Sequence, residues 1–184
     1  MPSVDLTIDL PVISNSFNQT IGNLVADDSS GCLAMNDGEK GQVLMTSLPP
    51  NAGSINSIRW FWKDCYVENR GARVTMEVLF EDADTGGDYY TETIMFSDSM
   101  NDYSGIERTT SDGSNKWTIA QVNNLRVQLA ALSNIGGYGA GAQGDYFFVR
   151  VDYETAGLPS HEPDIKLTSG KMVLSSGKVK VISL

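Results

Sequence analysis

The chain has 184 residues, of which 41% are hydrophobic and 20% charged, and its formal net charge is −10. This length allows one domain with a core of its own and a short appendage. The acidic balance excludes nucleic acid as the main partner, because a negative surface repels phosphate backbones.

No apolar run approaches the roughly 18 residues that a membrane span needs. The N-terminus lacks a basic segment followed by an apolar one, which is the pattern of a secretory signal. We therefore expect a soluble protein that is made in the cytosol and has no membrane partner.

Short strand-like runs alternate with turn-forming segments through most of the chain. The 18 glycines, with many Ser, Asn, Asp and Thr residues, indicate many turns and hence many short strands. The predicted strands cover residues 4–8, 41–47, 55–67, 72–80, 89–96, 125–132 and 146–153, with a further short one near Ile106.

The run 55–67 gives the clearest strand pattern. Ile58, Trp60 and Trp62 fall on one face, because successive side chains of a strand point to opposite sides. The other face carries the alternate residues, Arg59, Phe61 and Lys63. A turn at 68–71 follows, and then the alternating run 72–80, so that the two runs together predict a hairpin with one apolar face.

One segment has a helical pattern. Thr118 is suited to cap a single turn that would place Val122 and Leu125 inward and lead into the strand 125–132. A Gly-rich stretch at 136–144 then indicates a flexible hairpin tip, because no lysine and no helix follow it as a phosphate-binding loop requires.

These elements predict an all-β fold, a two-sheet antiparallel β-sandwich of jelly-roll type. The strand order cannot be read from the pattern, so an immunoglobulin-like Greek key stays open. Residues 1–156 form the predicted sandwich body, 157–164 a proline-containing linker and 165–184 a C-terminal β-hairpin or ribbon arm.

The arm differs from the body in charge and in repetition. It contains four lysines and no acid, whereas all 23 acidic residues precede it, and LTSGK recurs in it as LSSGK. A ribbon this small cannot bury its own apolar side chains, so they need the body or another copy of the chain. The predicted oligomerisation or attachment residues are Leu167, Val173, Leu174, Val179 and Val181.

A search for catalytic residues yields no specific pattern, and we predict that the chain is not an enzyme. The one histidine, His161, lies in the presumed linker. The sequence therefore lacks the histidines that a Ser-His-Asp or Cys-His site or a histidine-bound metal hydrolase requires. Carboxylates could hydrolyse glycosides, but the many acids single out no pair. Cys32 and Cys65 lie in no zinc motif and are interpreted as buried or half-buried thiols, with a bridge between them as the alternative.

The acidic turn DADTGGD is the one candidate metal site. Asp82, Asp84 and Asp88 place oxygen ligands near glycine bends, which suits a structural Ca²⁺ ion. The turn lacks the distal bidentate glutamate of an EF-hand loop, and a solvated hairpin turn is the alternative. No other cofactor is predicted.

Aromatic residues raise the question of a sugar-binding platform. Stacking against a glycan needs two or three exposed coplanar rings, whereas Trp60 and Trp62 share a strand face with Ile58 and look like core. The aromatic residues considered for either role are Trp60, Trp62, Trp117, Tyr89, Tyr90 and Tyr138.

The second half of the body carries a recognisable order of segments. An acidic Gly-containing stretch at 112–113 is followed by KWTIAQVNNLRV at 116–127, by the Gly-rich stretch and by VRVDY at 149–153. With the strand entry at 55–58, this order resembles structural proteins of tailed bacteriophages over roughly residues 50–155. The glycine usual soon after the Leu-x-Val is replaced by Gln128-Leu129-Ala130.

The resemblance implies a jelly-roll-like virion structural protein without catalytic residues, such as a capsid decoration or cement protein, a head fibre or a tail-associated protein. Its implied partners are other virion proteins and further copies of the same chain, in a homo-oligomer for which a trimer is one option. Its implied location is the virion, after assembly in the host cytoplasm. The alternative function is a carbohydrate-binding or host-receptor-binding β-sandwich module.

Overall fold

The computed structural model describes residues 1–17, 21–27, 32–34, 38–68, 73–135 and 141–157. The strands in chain order are β1 (Ser3–Leu6), β2 (Ile8–Asn15), β3 (Cys32–Ala34), β4 (Lys40–Met45), β5 (Ala52–Val67), β6 (Arg73–Asp82), β7 (Asp88–Phe96), β8 (Asn101–Ser104), β9 (Leu125–Ile135), β10 (Ala142–Gly144) and β11 (Phe147–Thr155). Two short helices complete the described elements, a 3-10 helix at Ile21–Val25 and the α-helix α1 at Ile119–Asn123.

The strands form two antiparallel sheets. Sheet A has six strands, in the order β1-β11-β5-β10-β3 with β8 also paired to β5, and sheet B has five, in the order β2-β4-β9-β6-β7. Because consecutive strands repeatedly cross from one sheet to the other, the inner faces of both sheets share one core. The predicted two-sheet antiparallel sandwich of jelly-roll type is confirmed.

The core follows from the alternation along β5. Trp60 and Trp62 are 0% and 3% exposed. The indole of Trp62 contacts the ring of Phe96, which belongs to sheet B, in a T-shaped arrangement with the ring centroids 5.0 Å apart. Gly144 permits this packing, because a Cβ added there would lie 2.1 Å from Nε1 of Trp62. The interpretation of these two tryptophans as core is confirmed.

The predicted hairpin of 55–67 with 72–80 is wrong. β5 belongs to sheet A and pairs with β8, β10 and β11, whereas β6 belongs to sheet B and pairs with β7 and β9. Both strands have one apolar face, and the two faces meet across the core instead of lying side by side. The alternation that predicts each strand holds equally for a hairpin and for a crossing between sheets, so it could not separate them.

Other boundaries differ in detail. The predicted strand 4–8 divides into β1 and β2, which belong to different sheets, and the polar region before β3 contains the 3-10 helix. The short strand expected near Ile106 lies earlier, as β8, while Arg108 forms an isolated bridge to Ile58.

The predicted helical turn is confirmed at α1. Thr118 caps it, with the Thr118 hydroxyl accepting from the Gln121 amide while the Gln121 side chain accepts from the Thr118 amide. Val122 and Leu125 are both fully buried, as the pattern required. In the described part of the chain no helix has the length and apolar character to cross a membrane.

Candidate functional site

The outer face of sheet A carries aromatic and charged side chains. Since Trp60 and Trp62 point into the core, Phe61 points outward, and the register of β5 with β11 places Phe148 directly opposite it. Arg59 lies opposite Arg150 in the next outward-facing pair. The two central strands therefore bring rings and guanidinium groups together on one surface.

Three rings form what we call the aromatic row, Phe61, Phe148 and Tyr146. The Phe61 and Phe148 rings stack with centroids 4.9 Å apart and planes 10° apart, and Tyr146 stacks on Phe148 at 5.0 Å and 29°. Phe148 is only 5% exposed although it lies on the outer face, while Phe61 and Tyr146 are half-buried. The central ring thus supports two accessible ones.

Two guanidinium groups lie over the row. The Cζ atoms of Arg59 and Arg150 are 5.3 and 5.1 Å from the centroid of Phe61, within the range of a cation–π contact. Arg150 donates to both oxygens of Asp5 at 2.7 and 2.8 Å, and this carboxylate raises the pKa of Arg150. The cation–π contact and the two hydrogen bonds to Asp5 together hold the guanidinium group of Arg150 beside the rings.

Arg59 is held by neutral acceptors. Its Nε donates to the Gly105 carbonyl at 2.8 Å and one terminal nitrogen donates to the Ser104 hydroxyl at 2.6 Å. Within the described residues Arg59 forms no ion pair and its Nη1 has no hydrogen-bond partner. Its remaining donors are therefore ready for an external acceptor.

An acidic cluster lies beyond the row. The carboxylates of Asp27, Asp64 and Asp145 each offer an oxygen within 4.8 Å of the others. Asp145 lies between β10 and β11 and donates from its amide to the Lys63 carbonyl of β5, and the next residue of β5, Asp64, has a φ of 51°. Desolvation, and then the charges of the other two carboxylates, raise the pKa of Asp27. These are the described residues that could hold a divalent cation.

The turn predicted as a calcium site has another arrangement. Asp82 accepts from the amides of Asp84 and Thr85 at 2.8 and 3.3 Å and from the Tyr89 hydroxyl at 3.1 Å, and these bonds, the first above all, lower its pKa. Asp84 accepts from the Asn124 side chain, while Asp88 is exposed at the start of β7. The three carboxylates do not converge within 4.8 Å, and calcium binding by this turn stays a prediction.

The outer face of sheet B has a different chemistry. The Gln42 side chain donates to Gln128 and to Glu81, and Arg126 donates to the same Glu81 oxygen at 2.9 Å. Glu81 is 7% exposed despite its outward direction. These four polar side chains therefore satisfy one another, and among the described residues of this outer face there is no stacked ring pair.

The structure separates the aromatic candidates into two groups. Trp117 is 3% exposed and contributes to the core with Trp60 and Trp62, whereas Tyr89 and Tyr90 are half-buried. No motif in the sequence marks Phe61, Tyr146 and Phe148 as a site. The alternation in 55–67 already placed Phe61 on the non-core face, but only the strand order shows that Phe148 lies beside it.

The remaining predicted residues divide between described and undescribed parts of the chain. Tyr138, His161 and the five apolar arm residues Leu167, Val173, Leu174, Val179 and Val181 fall outside the described residues. The roles assigned to them stay predictions, as do the linker and the arm. Cys65 is a buried free thiol whose pKa is raised, chiefly by desolvation.

Comparison with known proteins gives similarities of fold at low sequence identity. No protein-family model and no curated protein matches the sequence. The family 32 carbohydrate-binding module of AlyQ, in complex with 4,5-unsaturated mannuronic acid, shows 11% identity and a TM-score of 0.36 over 76% of this chain and 95% of that one. The family 11 module of the Clostridium thermocellum cellulase Lic26A-Cel5E shows 12% identity and a TM-score of 0.38 over 83% and 87%.

A carbohydrate-binding module of family 4 shows 7% identity and a TM-score of 0.37, over 70% of this chain and 94% of that one. These values concern the arrangement of strands. They carry no information on the ligand of this chain, which has to be argued from its own side chains.

Proposed function

We propose that this chain is a non-catalytic carbohydrate-binding module that binds a glycan on the outer face of sheet A. The observation that carries the proposal is the aromatic row beneath two fixed guanidinium groups. This was the alternative function at the level of sequence, and the described geometry supports it better than the other candidate.

A sugar ring presents an apolar C–H face and a rim of hydroxyl groups. The half-buried rings of Phe61 and Tyr146 supply apolar surface for the ring face. Arg59, Ser104 and the Arg150–Asp5 pair supply donors and acceptors for the rim. Sites that combine a mainly apolar surface with a few placed polar groups are the kind that orient a small ligand.

The polar groups are fixed before a ligand arrives. Arg59 is held by the Gly105 carbonyl and by Ser104, and Arg150 is held by both oxygens of Asp5. Side chains that are already ordered lose little conformational entropy on binding. The Nη1 nitrogen of Arg59, which lacks a partner among the described residues, is the donor that we expect to bind a sugar oxygen.

The test is a glycan array followed by titration calorimetry on the glycans that bind. We expect Phe61→Ala and Arg59→Ala each to weaken binding at least about tenfold, since lost stacking or a lost charged hydrogen bond is worth about 1–3 kcal/mol. Gln128→Ala, on the outer face of sheet B, is the matched control and should bind as the parent does. An array without a single glycan bound, or equal losses in all three variants, would contradict the proposal.

The second candidate is the virion structural protein that the resemblance implies. One structural observation favours it, which is the long regular border of sheet B at β7, because repeated copies in a particle need self-complementary surfaces. Light scattering of the full chain beside residues 1–164 tests it. A closed oligomer that the truncation dissociates supports an assembly arm, and an oligomer that survives the truncation supports assembly through the β7 border. Folded monomers in both cases count against the virion function.

A further inference from the structure

The border strands of the two sheets differ in length and regularity. In sheet A, β1, β3 and β8 have four, three and four residues. In sheet B, β2 contains Pro11, and its pairing with β4 slips between Asp9 and Ser14. β7 has nine residues and, among the described strands, pairs with β6 alone, in a register that shifts only at its first residues. Proteins usually blunt such borders with short strands, prolines, bulges or charged side chains. β7 contains no proline and no lysine; its charged residues are the terminal Asp88 and the inward-facing Glu92, which is neutralised by Arg108.

The backbone of β7 on the side away from β6 lacks partners in the described structure. The segment after β8 approaches this strand, but it bonds to a side chain of β7 and not to its backbone. The Ile106 amide and the Arg108 guanidinium donate to the Glu92 carboxylate, and Arg108 lies over the Tyr90 ring. No backbone hydrogen bond joins a described segment to the free side of β7. A row of amide and carbonyl groups therefore remains available to a further strand.

After the terminal Asp88, the outward side chains of β7 are uncharged, in a protein whose net charge is −10. Thr91, Thr93 and Met95 are exposed on the outer face. The only charged residue between Tyr89 and Phe96 is Glu92, whose carboxylate accepts from Trp60 at 2.9 Å and is paired with Arg108 at 2.9 Å. The strand is thus a neutral stretch on an otherwise repulsive surface.

We propose that β7 pairs antiparallel with β7 of a second copy of this chain, which joins the two B sheets into one continuous sheet across a two-fold axis. A two-fold axis at Thr93 places Thr93 opposite Thr93 and Thr91 opposite Met95. The same register places Glu92 opposite Ile94, so that the two Glu92 side chains do not face each other. It is isologous, so the same uncharged side chains serve both copies. This proposal is independent of glycan binding, because the aromatic row lies on the other sheet.

The experiment is sedimentation velocity of the full chain over a range of concentrations. We expect a dimer, and we expect the doubly substituted Thr91→Lys, Thr93→Lys chain to dissociate with a dissociation constant at least tenfold higher, because lysines would then face each other. The Thr91→Glu, Thr93→Glu chain should dissociate likewise, and an equimolar mixture of the two should form a heterodimer. Using both positions covers the registers that place the two-fold axis near the middle of the strand.

The matched control carries the same added charge on the opposite border of sheet B, as Leu10→Lys with Ser14→Lys, where both positions are exposed. It should dimerise as the parent does, and circular dichroism should show all variants folded. A monomeric parent, or a dimer that neither charged pair disturbs, overturns the proposal. A monomer whose thermal stability falls with the Thr91 and Thr93 variants would overturn it in favour of an intramolecular segment on this border.

Discussion

The outer faces of the two sheets use polar side chains in different ways. On sheet B the Glu81–Arg126 pair is nearly buried, with side chains 9% and 19% exposed, and Gln42 completes the network. On sheet A the Arg150–Asp5 pair is open, with side chains 42% and 37% exposed, and it adjoins stacked rings. The comparison indicates that the outer polar groups of sheet B stabilise the fold, whereas those of sheet A stay accessible to a ligand.

The largest effect should come from the buried pair of sheet B. Glu81→Ala would leave Arg126 without its carboxylate in a largely buried position, which costs about 3 kcal/mol of unfolding free energy. Glu77→Ala, half-buried on the same strand and face, is the control and should change stability far less. Urea unfolding followed by circular dichroism measures both. Equal losses would mean that sheet B has no special polar network.

The open pair of sheet A should matter much less for stability. Asp5→Ala removes an ion pair that water already screens, so we expect a loss of about 0–1 kcal/mol that shrinks in high salt. The same unfolding experiment at two ionic strengths gives the answer. A loss as large as that of Glu81→Ala would remove the contrast between the faces.

The smallest effect concerns the acidic cluster at the end of the sheet A face. Folding raises the pKa of Asp27, so its favourable contribution is present below the unfolded value of 3.8 and is lost as the pH rises through the folded value. Asp27→Asn keeps a neutral side chain, and it should therefore raise the melting temperature slightly at pH 7 and leave it unchanged near pH 3.

Asp112, a carboxyl group whose pKa is shifted in the opposite direction, provides the control for that experiment. Hydrogen bonds, first from the Asn115 amide, lower the pKa of Asp112 to about 2, so its contribution is present above 3.8 and is lost as the pH falls through 2. Asp112→Asn should lower the melting temperature at pH 7. Shifts of the same sign in both variants would contradict the assignment of Asp27 as a repelled carboxylate.

Much of the local structure was predictable. The alternation in 55–67 gave the inward direction of Trp60 and Trp62, because a strand alternates its side chains whichever sheet it joins. The cap at Thr118 was equally readable, because its hydrogen bonds lie within one turn. Both predictions depend on residues close together in the chain.

The candidate site was only half predictable. Alternation exposes Phe61 on the outer face, but its contact with Phe148 requires the pairing of β5 with β11, which lie far apart in the chain. The acidic cluster gave no sequence signal at all, because Asp27, Asp64 and Asp145 come from three separate segments and one of them has a left-handed backbone. In the acidic turn 82–88, which the sequence pattern does indicate as a metal site, Asp82 already accepts hydrogen bonds from the Asp84 amide and the Tyr89 hydroxyl.

The sequence by itself determined an all-β sandwich with its tryptophans inside, because period-two alternation and turn residues act locally. Only the tertiary structure decided that β5 and β6 belong to different sheets, that the rings of Phe61, Phe148 and Tyr146 meet, and that β7 lies at a border. The physical reason is that an apolar strand face is satisfied equally by a neighbour in its own sheet and by the sheet across the core. Long-range packing of the whole chain makes that choice.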